Sequence, residues 1–430
     1  MNKRILLAAA TGLAIIFGVT AQSARELIEE KPARAGGVYF AYPTDEISPD
    51  YGSKAPKGYK PFYVSHFGRH GSRYLINDDD YTKVMKVLDK AHKANALTPR
   101  GELLRLQMDT IWEEARGRGG ELSPLGNRQH KGIARRMATA YPEVFADGAE
   151  VTAASTTIMR CAHSMFSFLE GLKELNPSLD IPRESGQRTM EFVNHTTKRS
   201  GQMGSHNGPY FQELRRFRQQ QTKPDRLVSS IFSDPEWVKR WLNEPEFMWD
   251  LYWVAVDLQN METQIELLSL FTTDELYDLW QCFNFQFYAT NSSYPLAEGA
   301  HLERASYTLK HIIDTADEYI ADGRHGGTFR FGHDGNIVPL TALIGVEGCS
   351  SEAIHPEDLA NDYADFKVSP MCSNIQFIFF RKPGGKAEDV LVRVYHNEHD
   401  ANLPLPTVDK YYYKWSDLRS YLAPQAAKSY

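Results

Sequence analysis

Apolar residues along the chain follow two rhythms. From 60 to 66 the run is rich in apolar and aromatic side chains and reads as a core strand. Over 79–94, 101–116 and 126–140 the apolar positions recur every three or four residues, which places them on one helix face. A short strand is predicted at 151–155. A helix follows over 160–175, with Met165, Phe166, Phe168, Leu169 and Leu172 on its apolar side. Strand followed by helix, repeated, predicts an α/β fold: a central, mostly parallel sheet flanked by helices. Residues 22–59 mix Pro, Gly and Asp without a period and are predicted to be mostly loop.

The rhythm changes after about residue 185. Residues 194–209 are polar and Gly-rich. From 209 to 290 helical spacing dominates, and Trp237, Trp241, Trp249, Trp253 and Trp280 all fall there. An all-α cap inserted over 186–296, with aromatic packing, is the expectation. A long helix at 297–321 leads back to a second core strand at 328–332. The stretches 374–381 and 389–396 read as paired strands turning at Pro383-Gly384-Gly385. The α/β core is therefore expected from two pieces, 22–185 and 297–430.

The first residues stand apart. Lys3 and Arg4 precede an apolar run from 5 to 19, with Val19-Thr20-Ala21 as a cleavage site, the layout of a secretory signal peptide over 1–21. The run is short against the ~20 residues that span a bilayer. An exported protein, periplasmic or extracellular and without a membrane span after cleavage, is expected. Cleavage removes two positive charges and no negative ones, taking the formal net charge from −7 to −9. An acidic chain of this kind is not expected to bind nucleic acid. Cys161, Cys282, Cys349 and Cys372 form no CxxC pair, so no zinc site is predicted. Export permits disulfides. Three full pairings are possible, with Cys349 to Cys372 closing the shortest loop, and buried free thiols fit equally well.

Three places carry chemistry, each after a predicted strand, where open α/β sheets bind ligands. The first is Arg69-His70-Gly71-Ser72-Arg73. Two guanidinium groups disfavour a protonated imidazole and keep the lone pair of His70 free. Arginine is also the side chain best shaped to grip a phosphate. The second is His333-Asp334, where a carboxylic acid beside a histidine can protonate a leaving oxygen. The third is Arg160, at the start of a predicted helix, whose free N–H groups favour anions. Each alone is also what a surface loop, a turn or a solvated arginine would show. Together they supply what a phosphoryl group needs.

At these residues the chain resembles the histidine acid phosphatases, in the branch that holds phytases and multiple inositol polyphosphate phosphatases. The likeness extends to Leu122, Gly126 and Gln129, which look like the family's LTxxGxxQ helix entry. Arg160, Cys161, Ser164, Phe168, Gly171 and Leu172 look like its RCxxSxxAFxxGL helix. The segment from Gly332 to Leu340 looks like its catalytic HD segment, and Val392 to Glu398 like its terminal strand. The resemblance implies that His70 is a nucleophile forming a phosphohistidine. It implies that Arg69, Arg73 and Arg160, with His333, bind the phosphate, and that Asp334 protonates the leaving alcohol. No metal or other cofactor is implied. Two positions depart from the pattern: Leu75 stands where many phytases have proline. His333-Asp334-Gly335 stands where typical multiple inositol polyphosphate phosphatases have His-Ala-Glu.

The expected activity is hydrolysis of phosphomonoesters, with inositol polyphosphate as a candidate substrate. The alternatives are a phosphotransferase or mutase of the wider superfamily, or an inactive phosphate-ester or glycan binder on the same scaffold. Other motifs count for less. His66 and His70 sit on a strand-to-loop turn beside arginines that repel a cation. The run from His396 to Asp400 reads as a solvated strand end. Arg215, Arg216, Arg218, Lys223 and Arg226 would either help hold a polyanion or coat a solvated helix.

Overall fold

The computed structural model describes residues 22–427, so the expected signal peptide lies outside the described residues. The apolar run forms β1 (Lys60–Arg69), whose last eight residues are buried. It joins β2 (Glu150–Ser155), β3 (Arg183–Glu184), β4 (Gly326–Gly332), β5 (Asn374–Arg381), β6 (Leu391–His396) and β7 (His399–Asp400) in the order β3-β2-β4-β1-β5-β6-β7. The short β8 (Tyr412–Lys414) pairs with β6. Strands β3, β2, β4 and β1 are mutually parallel. The expected hairpin of β5 and β6 adds antiparallel strands on the other side.

Register matters more than strand count. Arg69 pairs with Gly332, and Ser155 with Phe331. The carboxyl ends of β1, β4 and β2 are therefore level. The residues that follow them leave the sheet at one edge.

Helices α2 (Asp78–Lys93), α3 (Pro99–Ala115), α4 (Pro124–Ala140) and α5 (Met159–Leu175) match the periodic stretches. Two expectations are corrected. Residues 22–39 are not loop: a Ser23–Glu26 capping box starts α1 (Ala24–Glu30), and a 3-10 stretch spans Pro32–Tyr39. A short polar-ended helix with a strong cap carries little periodic signal. Phe166 is 40% exposed. It lies about 100° around the helix from Met165, off the stripe that Met165, Phe168, Leu169 and Leu172 bury.

The 211–291 region is helical, and Trp237, Trp249 and Trp280 are buried in it. That aromatic core is shared: Leu88 and Met108 from α2 and α3 pack into it alongside Phe217, Trp249 and Trp280. Trp253 is half-buried, and Trp241 is 51% exposed beneath the Lys90 ammonium at 3.7 Å. All four cysteines are buried free thiols. No described helix is long and apolar enough to cross a membrane.

Candidate active site

The end of β1 is fixed from three sides. The Arg69 N–H donates to Ser373 O (2.7 Å) and the His70 N–H to Gly332 O (2.9 Å), while Cys372 N–H donates to His70 O (3.0 Å). The loop then lies directly on the first turn of α4. A Cβ at Gly126 would fall 2.3 Å from Ser72 O, and one at Gly71 would fall 2.8 Å from Gly126 Cα. Ser164 Oγ accepts from Gly71 N–H, and Gln129 Oε1 from Ser72 N–H, each at 3.1 Å. The glycine, glutamine and serine of the sequence motifs thus brace the loop that carries His70.

His70 Nδ1 lies 3.0 Å from Gly71 O. A carbonyl only accepts, so this nitrogen carries the ring proton. Nε2 then bears the lone pair and has no hydrogen-bond partner among the described residues. Burial pushes the imidazole pKa well below its usual value, and Arg69, Arg160 and Arg73 push it further the same way.

Three guanidinium groups surround it. Arg69 Nη1 donates to Ser369 O (2.8 Å) and to Val38 O. Its Nη2 lies 2.7 Å from Asp334 Oδ2, an ion pair without hydrogen-bond alignment. Arg73 donates to Tyr74 O (2.8 Å) and Tyr39 Oη (3.0 Å). Arg160, in the first turn of α5, has Nη2 3.5 Å from His333 Nδ1. In all three the buried Nε–H is unpartnered. Buried donors are rarely left so. Three of them converging on a neutral imidazole make a cradle for an anion.

His333 and Asp334 leave β4 beside this cradle. The His333 ring stands 5.6 Å from the His70 ring and touches Thr156 Oγ1 (3.3 Å) and Cys161 Sγ (3.6 Å). Burial, then Arg160, lowers its pKa to about 4. Asp334 opens the helix Asp334–Leu343 and accepts from Gly335 N–H at 2.7 Å. Burial alone would raise its pKa, but Arg69, His333 and the Gly335 N–H outweigh that and hold the carboxyl below the usual range. Arg69, His70, Arg73, Arg160, His333 and Asp334 are thus brought together.

Sequence reasoning missed two residues here. Tyr39 accepts from Arg73 and lies under its guanidinium, 4.6 Å from centroid to Cζ. Arg304 donates to Asn291 Oδ1 (2.7 Å), keeps an unpartnered Nε–H, and is lowered to about 10 by burial, with Asp334 opposing. A signal for Arg304 existed: it interrupts the buried stripe of Ala300, His301, Ala305 and Thr308. Tyr39 had none, lying in a stretch read as loop.

The run from 396 to 400 is only partly solvated, His399 being exposed. His396 Nε2 bonds Val368 O (2.8 Å), Glu398 is buried against Arg136, and Asp400 pairs with Arg393. His66 is enclosed by Phe168, Phe329 and Phe331. Among the described residues, no group of three His, Cys, Asp or Glu could hold a metal ion.

Comparison with known proteins agrees with this fold. The sequence model described as histidine phosphatase superfamily (branch 2) matches residues 64–397. A multiple inositol polyphosphate phosphatase of Bifidobacterium longum, in complex with inositol hexasulfate, superposes with a TM-score of 0.76 at 18% identity, over 92% of this chain and 98% of that one. The phytase from D. castellii superposes with a TM-score of 0.66 at 13% identity, over 92% of this chain and 86% of that one. A search of curated proteins finds no match.

Proposed function

This chain belongs to branch 2 of the histidine phosphatase superfamily, and from there we propose that it is an exported phosphomonoesterase working through a phosphohistidine. One observation carries the proposal: a buried histidine, its Nδ1–H tied to Gly71 O, lies in the field of three arginines that each keep an unpartnered N–H.

The chemistry follows from those atoms. A phosphate ester takes up the free N–H groups of Arg69, Arg73 and Arg160, which hold its charge and set its orientation. His70 Nε2 attacks phosphorus and forms the P–N bond as the P–O bond to the alcohol breaks. Asp334, beside His333, gives its proton to the departing oxygen. Water then attacks phosphorus, its proton passing to Asp334, and His70 is released. In the free protein the arginines hold Asp334 ionised. A bound phosphate dianion neutralises that field, which raises the carboxyl pKa and lets it carry the proton it must donate.

Inositol polyphosphates are the substrate class to test first, because the Bifidobacterium longum relative is a multiple inositol polyphosphate phosphatase with an inositol hexasulfate complex. Export rests on the sequence of residues 1–21. The test is phosphate release from 4-nitrophenyl phosphate and inositol hexakisphosphate, from acid to neutral pH, by wild type and His70→Ala. Release that survives His70→Ala, or no release from any phosphoester by wild type, overturns the proposal.

A further inference from the structure

The cradle accounts for the phosphate but not for what the phosphate is attached to. Between Arg73 and Asp334 the cleft is walled by rings. Tyr39, under Arg73, is 5.6 Å from Trp253 and 6.3 Å from Phe283. Trp253 and Phe283 meet edge to face at 4.7 Å, and Phe283 reaches Phe287 at 6.0 Å. All four rings are only half-buried. Phe283, Phe287 and Asn291 lie four residues apart on the helix Thr273–Asn291, so they share one face. At its far end Asn291 Oδ1 would be 3.3 Å from a Cβ on Gly335, next to Asp334. One helix face thus runs from the phosphate clamp to the aspartate, and what it presents is aromatic.

A site for a densely phosphorylated ring needs cations there. Most basic residues of the cap are committed elsewhere; Arg215 is exposed and lines a cavity with Arg218 and Trp253. Arg216 pairs with Glu213 and Glu357, Lys223 with Asp278, and Arg226 with Glu275. Arg218 lies over the Trp249 ring at 4.0 Å. Arg304, at the far end of the wall, is bonded to Asn291 and keeps one unpartnered N–H, a single cation at that end. Burying extra phosphates against phenyl rings is costly, whereas a flat uncharged face packs well on them.

We propose that this wall is the leaving-group subsite and selects phosphomonoesters whose leaving group offers an uncharged ring face, aryl esters above all, over polyphosphorylated rings. The inference rests on the hydrolase reading and narrows its substrate class. The test compares kcat/KM for 1-naphthyl phosphate, glycerol 2-phosphate and inositol hexakisphosphate in wild type, Phe283→Leu/Phe287→Leu and Phe287→Lys. Losing the rings is expected to lower kcat/KM for naphthyl phosphate by roughly fivefold or more while leaving glycerol 2-phosphate within about twofold. Phe287→Lys is expected to move preference toward the hexakisphosphate. Equal loss on naphthyl and glycerol esters, or wild-type preference for hexakisphosphate, overturns the inference while the hydrolase stands. No release from glycerol 2-phosphate or any other ester overturns both.

Discussion

Arg69 Nη2 stands 2.7 Å from Asp334 Oδ2, an ion pair joining the ends of two adjacent parallel strands inside the anion cradle. The contact couples the two halves of the proposed reaction. While the cradle is empty, Arg69 helps keep Asp334 ionised. A phosphate that takes Arg69's free N–H groups frees the carboxyl to hold a proton.

Asp334→Asn should therefore separate leaving groups. With alkyl esters, which need a proton, kcat/KM is expected to fall by about 100-fold or more. With 4-nitrophenyl phosphate, whose nitrophenolate leaves unaided, the loss should be roughly tenfold or less. In wild type the alkyl-ester rate should decline as pH rises and Asp334 loses its proton, and the variant should lack that decline. Steady-state kinetics on both esters across pH check this.

Gly126 fixes how closely the His70 loop sits on α4. Adding one methyl group in Gly126→Ala puts carbon 2.3 Å from Ser72 O. The expected cost is about 1–3 kcal/mol of stability, with kcat reduced in the fraction that still folds. Thermal unfolding together with kcat measured at full folding tests it. A variant with unchanged kcat would contradict the bracing role.

Glu398 is fully buried, gripped by Arg136 Nε and Nη2 and by Tyr42 Oη. Arg136→Met strands that carboxylate without its counter-charge. Because the Arg136 side chain is 30% exposed, water can partly compensate. The expected loss is about 2–3 kcal/mol, at or below the lower bound for broken buried pairs, read from urea unfolding.

His311 accepts from Arg330 Nε (2.9 Å) and stacks on Phe192 at 3.8 Å. Burial, then Arg330, lowers its pKa to about 2. The unfolded chain takes this proton near pH 6.5 and the folded protein does not, so stability falls as pH drops below about 6.5. At pH 4.5 the penalty is on the order of 2 kcal/mol. Asp257 and Asp365, raised to about 7 by burial, act in the opposite direction between about 4 and 7. The informative quantity is therefore the difference between wild type and His311→Gln. The variant should lose less stability than wild type between pH 7 and pH 4.5 in urea unfolding. Parallel losses would contradict this.

Much of this site was legible because its residues follow strands. A strand end has a strong local pattern, and the Arg69–Arg73, Arg160 and His333-Asp334 segments each sit at one. What was not legible came from packing between distant segments. Tyr39 reaches Arg73 only because a capped helix and a 3-10 stretch fold residues 22–39 under the cleft. Phe283 and Phe287 were not singled out within the helical region, since helical spacing cannot tell a face turned to the protein from one turned to the cleft. The burial of Asn397 and Glu398 within the 396–400 run was missed for the same reason. The run's partners, Val368, Arg136 and Arg393, lie on a short helix before β5, on α4 and on β6.

The most direct test is to trap the intermediate. Wild type quenched in alkali during turnover of labelled phosphomonoester should carry one label per chain, stable to base, lost in acid, and mapping to the peptide containing His70. His70→Ala should carry none. Turnover by wild type with no trapped label, or label retained in His70→Ala, would contradict covalent catalysis by His70.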